Sequence, residues 1–143
     1  MPGMLCPVFV FDFDGVIVSG GELRARGIKA LGEALEMGGR VYIVSGRRPS
    51  DRGYIGSVLR EAGFSVARLG GLYLRGSGSE ESFKLETYVR IRDLEECIGE
   101  IHDDNPEVLW PARRLVEHGL ILHYDGHCEA IYGYSILRSC REA

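Results

Sequence analysis

The stretch VFVFDFDG, residues 8–15, sets four apolar or aromatic residues in front of two aspartates that stand one residue apart. Val8 to Phe11 is short, β-branched and aromatic, which predicts a buried strand, and Gly15 ends the turn that follows it. Asp12 and Asp14 then sit together at a strand end. Like charges that close repel, so the stretch calls for positive charge nearby, with a metal ion the first candidate.

Outward from this stretch, strand-like runs alternate with helical patterns, the signature of an α/β domain with a mainly parallel sheet. A helix is predicted from about Glu22 to Met37, where Ile28, Leu31, Ala34 and Leu35 share a face and Gly38-Gly39 supply the stop. Val41 to Val44 reads as the second strand. A helix over about Asp51 to Ala62 follows, with Ser50 as its N-cap. Ser65 to Leu69 reads as the third strand and Leu72 to Arg75 as a short extended piece. After the flexible GSGSEES loop comes a helix over about Phe83 to Glu95, then a fourth strand, Cys97 to His102. Pro106 suits a helix start and Gly119 a helix end, with a kink at Pro111. Leu120 to Tyr124 makes a fifth strand, and the tail beyond Asp125 carries no clear pattern.

Composition bounds the whole. The 143 residues, 45% hydrophobic and 27% charged, suit one soluble domain spanning residues 1–143. A net charge of -4 and a pI near 5.6 argue against bulk attraction to nucleic acid or anionic membrane. The apolar run Pro7 to Phe11 is too short for a signal peptide or a membrane span, so a cytoplasmic protein with no membrane partner is expected. Cys6, Cys97, Cys128 and Cys140 form no CxxC pair, so four reduced structural thiols are expected. His118, His123, His127 and Cys128 match no common zinc spacing. GSGSEE lacks the third glycine of a dinucleotide loop, and no P-loop occurs.

The unusual residues cluster by topology. Asp12 and Asp14 follow the first strand, Ser45 the second, Asp103 and Asp104 the fourth, and Lys84 begins the helix that feeds the fourth. In a parallel sheet the C-terminal strand ends share one edge, where ligands bind. Carboxylates and an amine gathered there suit Mg2+, a hard cation that takes oxygen ligands and substrate phosphate. Asp12 is then the candidate nucleophile and Asp14 the candidate acid/base, with Ser45 and Lys84 on the phosphoryl oxygens. Asp125 and Glu129 offer a rival acidic pair, which fits the order of elements less well.

In sequence this set resembles the haloacid dehalogenase-like phosphohydrolases, from residue 8 to about residue 125. Their four motifs correspond to VFVFDFDGV, VYIVSGR, the lysine of ESFKLETYV and the paired acids of EIHDDNPEVL. The resemblance implies a Rossmann-like three-layer sandwich with a mainly parallel five-stranded sheet. It also implies an aspartyl-phosphate on Asp12, and a magnesium site of Asp12, Asp14, Asp103 and Asp104 to which Asp14 gives its main-chain carbonyl. Such proteins usually carry a cap domain after the first or second motif. Here residues 15 to 45 leave room for one helix and a short flap, and residues 45 to 84 for one helix and two extended pieces. A capless crevice in this family accompanies macromolecular substrates or an oligomer whose neighbouring subunit supplies the lid. VSGR, FKLETYVRI and IHDDNPEVLWPARRLVEHG look like the phosphatase domain of polynucleotide kinase-phosphatases, which implies phosphorylated nucleic acid ends as substrate. DFDGVIVSGG and GRRPS look like the capless tetrameric sugar-acid phosphatases. Gly46, Arg47, Arg48 and Arg75, with Arg52, are the candidate substrate contacts at the mouth. A catalytically silent binding module on the same scaffold is the competing class.

Overall fold

The computed structural model describes residues 5–141. Its chain order begins with β1 (Val8–Phe11), a small hairpin of β2 (Val18–Ser19) and β3 (Glu22–Leu23), and α1 (Ala25–Glu36). Next come β4 (Arg40–Ser45), α2 (Arg52–Glu61), β5 (Gly71–Leu74), α3 (Glu80–Glu95) and β6 (Ile98–Asp103). The chain ends with α4 (Pro106–Leu109), a 3-10 segment Trp110–Leu115, β7 (Val116–Tyr124), β8 (His127–Gly133) and α5 (Arg138–Arg141). The main sheet runs β5-β4-β1-β6-β7-β8, with every pairing parallel except β7 to β8. The protein is therefore α/β, a mainly parallel six-stranded sheet with helices on both faces. Among the described residues no helix is long and apolar enough to cross a membrane.

The two-residue period of a strand makes the layers. Phe9 and Phe11 of β1, with Val41 and Ile43 of β4, face a core closed by Leu31 and Leu35 of α1, Ile55 and Leu59 of α2, and Leu137. Val8 and Val10, with Tyr42 and Val44, face the opposite core against Tyr88 and Ile91 of α3 and Val108, Leu109 and Ala112. The chain moves from β1 outward to β4 and β5, then α3 carries it back past β1 to β6. That reversal beside β1 is where an open α/β sheet leaves a crevice at its C-terminal edge.

Several expectations are corrected. The first helix starts at Ala25, because Val18–Ser19 and Glu22–Leu23 pair antiparallel across Gly20 and Gly21. Residues 65–69 are not a strand: the Ser65 hydroxyl accepts the Ala67 amide at 3.2 Å and winds Val66–Arg68 into a 3-10 turn. The third strand of the main sheet is instead β5, which pairs with β4. Ser50 is no N-cap, since a 3-10 turn over Pro49–Asp51 leads into α2 and Asp51 occupies the cap without a side-chain bond. Pro111 ends α-helical geometry, as expected of a residue without an amide hydrogen, and the segment Trp110–Leu115 continues as 3-10. Gly119 is a strand residue inside β7, where an added Cβ would stand 2.4 Å from the Tyr134 carbonyl oxygen. The unpatterned tail forms β8 and α5, so the sheet has six strands rather than five.

The cysteines also depart from expectation. Cys6 pairs with Cys97 and Cys128 with Cys140, leaving no free thiol. Neither pairing is visible as a spacing. Each joins segments that only the tertiary fold brings together: the entry to β1 with the entry to β6, and β8 with α5.

Candidate active site at the carboxyl edge of the sheet

Phe11 stands in register with Ile43 of β4 and His102 of β6, so the next residues along, Asp12 and Asp103, emerge side by side. The Asp12 amide donates to the His102 carbonyl at 2.9 Å, which carries the ladder one residue past the strand and fixes the loop. Asp12 is only 5% exposed, and its Oδ1 accepts the Phe13 amide at 2.8 Å. Gly15 turns the loop with φ +85°, and a Cβ there would overlap the Asp104 carboxylate at 2.1 Å. That position requires glycine both for its backbone and for its neighbour.

Lys84 comes from the other layer. Ser79 caps α3 by accepting the Ser82 amide at 3.2 Å, and Glu80 and Glu81 in the first turn suit the helix dipole. Because α3 begins three residues earlier than the pattern suggested, Lys84 lies a full turn inside it, wholly buried. Its Nζ donates to Asp103 Oδ2 at 2.8 Å and lies 3.1 Å from Asp12 Oδ1 and 3.1 Å from Glu80 Oε2. Asp103 is oriented further by the Asn105 amide, which donates to Oδ1 at 3.0 Å.

One ammonium thus faces several carboxylates, and the surplus negative charge is felt. Burial, and after it repulsion from Asp103, hold the Asp12 carboxyl well above the usual carboxylate range despite the opposing pull of Lys84. Burial and Asp103 push Asp104 up to about 6. Burial pulls the Lys84 ammonium down, yet Asp12 and Asp103 together outweigh it and hold the group above the ordinary lysine value. Carboxylate oxygens of Asp12, Asp103 and Asp104 all lie within 4.8 Å of one another. An all-oxygen, charge-surplus set fits a hard divalent cation such as Mg2+. The Asp14 carboxylate is not in this set.

Asp14 turns toward Arg47 instead, accepting from Nε at 2.7 Å and from Nη2 at 3.0 Å in a fork-to-fork pair. The Arg47 guanidinium also lies 5.6 Å from the centre of the Phe13 ring, 5.0 Å from that of Tyr54 and 3.6 Å from Asp51. Ser45, the last residue of β4, is fully buried and its hydroxyl accepts the Arg47 amide at 3.1 Å, shaping the turn. Asp12, Asp14, Gly46, Arg47 and Glu80 line a crevice of about 310 Å³. The other mouth arginines are committed to main chain. Arg48 donates to Gly76, Arg52 to Leu72, and Arg75 to Gly46 and Gly78, which ties the 75–79 loop to the turn after β4.

The structure therefore brings Asp12, Lys84, Asp103 and Asp104 together, sets Asp14 with Arg47 and Gly46 on the crevice wall, and puts Arg48 and Arg75 into loop anchoring. Asp125 and Glu129 stand at the β7–β8 turn, where Tyr124 donates to Glu129. Sequence reasoning missed Glu80, although it precedes Lys84 by four residues, the spacing of neighbours on one helix face. It also missed Tyr54 and Phe13 beneath Arg47, which no spacing reveals. Compared with models of known protein families and with curated proteins, the chain matches none.

Proposed function

We propose that the protein is a capless haloacid dehalogenase-like phosphohydrolase, a magnesium-dependent phosphomonoesterase that works through an aspartyl-phosphate on Asp12. The observation that carries the reading is the buried Lys84 ammonium set between Asp12 and Asp103 at the sheet edge, with carboxylate charge left over beside an open crevice. Asp12, Asp103 and Asp104 would hold Mg2+, which when bound offsets charge on the phosphate and on the carboxylates. A carboxylate oxygen of Asp12 forms the bond to phosphorus while the bond to the leaving oxygen breaks, and Asp14 gives that oxygen its proton. Asp14 then takes a proton from water as the water oxygen attacks phosphorus, and Asp12 leaves as free carboxylate with inorganic phosphate released. Lys84 holds Asp12 in place and stabilises charge on the transferring group throughout. Asp14 must leave Arg47 to do its part, which places Arg47 beside the incoming phosphate.

Terminal phosphates of nucleic acid are the proposed substrates, because no cap covers the crevice among the described residues. A second reading, a sugar-acid phosphatase closed by a neighbouring subunit, is favoured by the commitment of Arg48, Arg52 and Arg75 to carbonyl oxygens, which leaves Arg47 alone on the wall. The reading keeps the cytoplasm as the place of action, where both cysteine pairs would be reduced. Phosphate release from p-nitrophenyl phosphate tests the chemistry: turnover with Mg2+, lost to chelator and restored by added Mg2+, is expected. No turnover with any divalent ion would leave a silent binding module. A 3′-phosphorylated oligonucleotide compared with a sugar-acid phosphate by kcat/KM separates the substrate classes, and a tenfold preference for the sugar acid moves the reading to the second class.

A further inference from the structure

A second buried polar cluster lies on the opposite face of the same strands. Glu100 and His102 of β6 are fully buried, and His123 of β7 nearly so. His102 Nε2 meets Glu100 Oε1 at 2.9 Å, and His102 Nδ1 meets His123 Nε2 at 2.8 Å. His123 pairs in register with Cys128 of β8, so the two side chains share a face, and Cys128 is joined to Cys140 of α5. Donor atoms of His102, His123 and Cys140 lie within 4.8 Å of one another.

We propose that His102, His123, Cys128 and Cys140 form a site for zinc or a similar thiophilic divalent cation, filled when the Cys128–Cys140 bridge is reduced. Two thiolates and two imidazoles are an ordinary closed zinc set; His102, His123 and Cys140 already stand together, and Cys128 Sγ, outside that group of three, turns in once the bridge is broken. The orientation of the rings favours this use. A histidine ligand commonly gives its other ring N–H to a carboxylate, and Glu100 occupies that place behind His102, leaving Nδ1 directed at His123. Two imidazole nitrogens that face each other need something positive between them. In the bridged protein that is a proton; in the reduced protein a cation takes its place.

The framework does not depend on the bridge. Glu33 of α1 accepts the Ser139 amide at 3.0 Å and its hydroxyl at 2.6 Å, while Arg26 donates to the Ser139 carbonyl at 2.9 Å. Ser135 and the Ile136 amide both donate to Glu100. These contacts keep Cys140 against the sheet after reduction. The balance is simple. A dithiol reductant gives two electrons and two protons to the sulfurs and becomes a disulfide. The cation then displaces both thiol protons, and the proton on His123 Nε2 moves to Nδ1. Four ligands and a 2+ ion give a site without net charge, suited to a buried place.

Cobalt(II) added to the whole protein is the probe, because thiolate ligation gives it a charge-transfer band and tetrahedral geometry gives strong d–d absorption. Carboxylate binding at the other edge of the sheet gives neither. After reduction and removal of metals, stoichiometric cobalt with both signals is expected, lost on adding zinc, absent in the unreduced protein and weakened at least twofold in Cys140→Ser. Should Cys140→Ser fail to fold, alkylation of the reduced wild type read by mass spectrometry serves instead. Zinc should slow labelling of Cys128 and Cys140 at least tenfold and leave Cys6 and Cys97 unchanged. A folded, reduced protein without the charge-transfer band, a band undiminished in Cys140→Ser, or labelling rates indifferent to zinc would overturn the site.

Discussion

His102 and Asp103 are consecutive residues of one strand, and they enter opposite polar clusters. Asp103 faces α3 and shares Lys84 with Asp12; His102 faces α1 and α5 and is shared between Glu100 and His123. The first cluster has more carboxylates than cations and opens on a crevice, whereas in the second both ring nitrogens of His102, Nε2 of His123 and both carboxylate oxygens of Glu100 have partners inside the protein. Apart from the exposed Asp104, burial is similar for Asp12, Lys84 and Asp103 on one side and Glu100, His102 and His123 on the other. Charge balance and access are not, and these decide which cluster can work on a ligand arriving from solvent and which holds strands and the C-terminal segment together.

The sharpest way to break this contrast is to remove the proposed nucleophile. Asp12→Asn keeps the shape of the loop and the bond to the Phe13 amide, yet cannot form the acyl phosphate. Turnover of p-nitrophenyl phosphate should fall by more than about a thousandfold with circular dichroism unchanged. A folded Asp12→Asn protein near wild-type activity would end the proposed mechanism. Next in size is Lys84→Ala. It removes a preorganised cation, which costs about a hundredfold in rate. It also strands Asp12 and Asp103 in the interior, which destabilises the protein by roughly 3–5 kcal/mol. Lys29→Ala, on the exposed side of α1, should change neither, as steady-state kinetics and urea titration would show.

Glu100→Gln probes the other face. The carboxylate accepts from Ser135, the Ile136 amide and His102, and an amide group turns one acceptor into a donor among donors. Stability should drop by about 2 kcal/mol while kcat on p-nitrophenyl phosphate stays within twofold. A large loss of kcat at unchanged stability would erase the distinction between the clusters.

How legible each cluster was in the sequence follows from what fixes it. The edge cluster is made of residues at strand ends and a helix start, so a correct order of elements in a parallel sheet suffices to bring Asp12, Lys84, Asp103 and Asp104 together. Their convergence survived errors elsewhere, such as the misplaced strand at 65–69 and the helix begun too early at Glu22. The inner cluster depends on β8 and α5, which the sequence left unpatterned. Without β8 there was no cross-strand partner for His123, and Cys128 with Cys140 remained two isolated cysteines. The four histidine and cysteine positions considered for zinc from spacing alone included His118 and His127, which lie elsewhere: His118 bonds Tyr134 and the Cys6 amide, and His127 stands beside Tyr124 at the turn. Local pattern reads strand ends well. Contacts made by antiparallel return and by side chains across layers need the fold itself.

Arg47 is the smallest expected effect and joins the crevice to the solvent. Its side chain is 31% exposed and that of Asp14 50%, so their ion pair is screened, and Arg47→Ala should change stability by no more than about 1 kcal/mol even with the ring contacts to Phe13 and Tyr54 lost. Its kinetic effect should separate two places for the substrate. If the guanidinium meets the reacting phosphate when Asp14 turns away, KM should rise several-fold for p-nitrophenyl phosphate and for a 3′-phosphorylated oligonucleotide alike. If it meets a neighbouring phosphate at the mouth, only the oligonucleotide should suffer. The short reach from Arg47 to Asp14, itself one residue removed from Phe13 and two from Asp12, favours the first outcome. A rise confined to the oligonucleotide would instead move the reacting phosphate deeper, toward Lys84, and leave Arg47 to the strand that carries it.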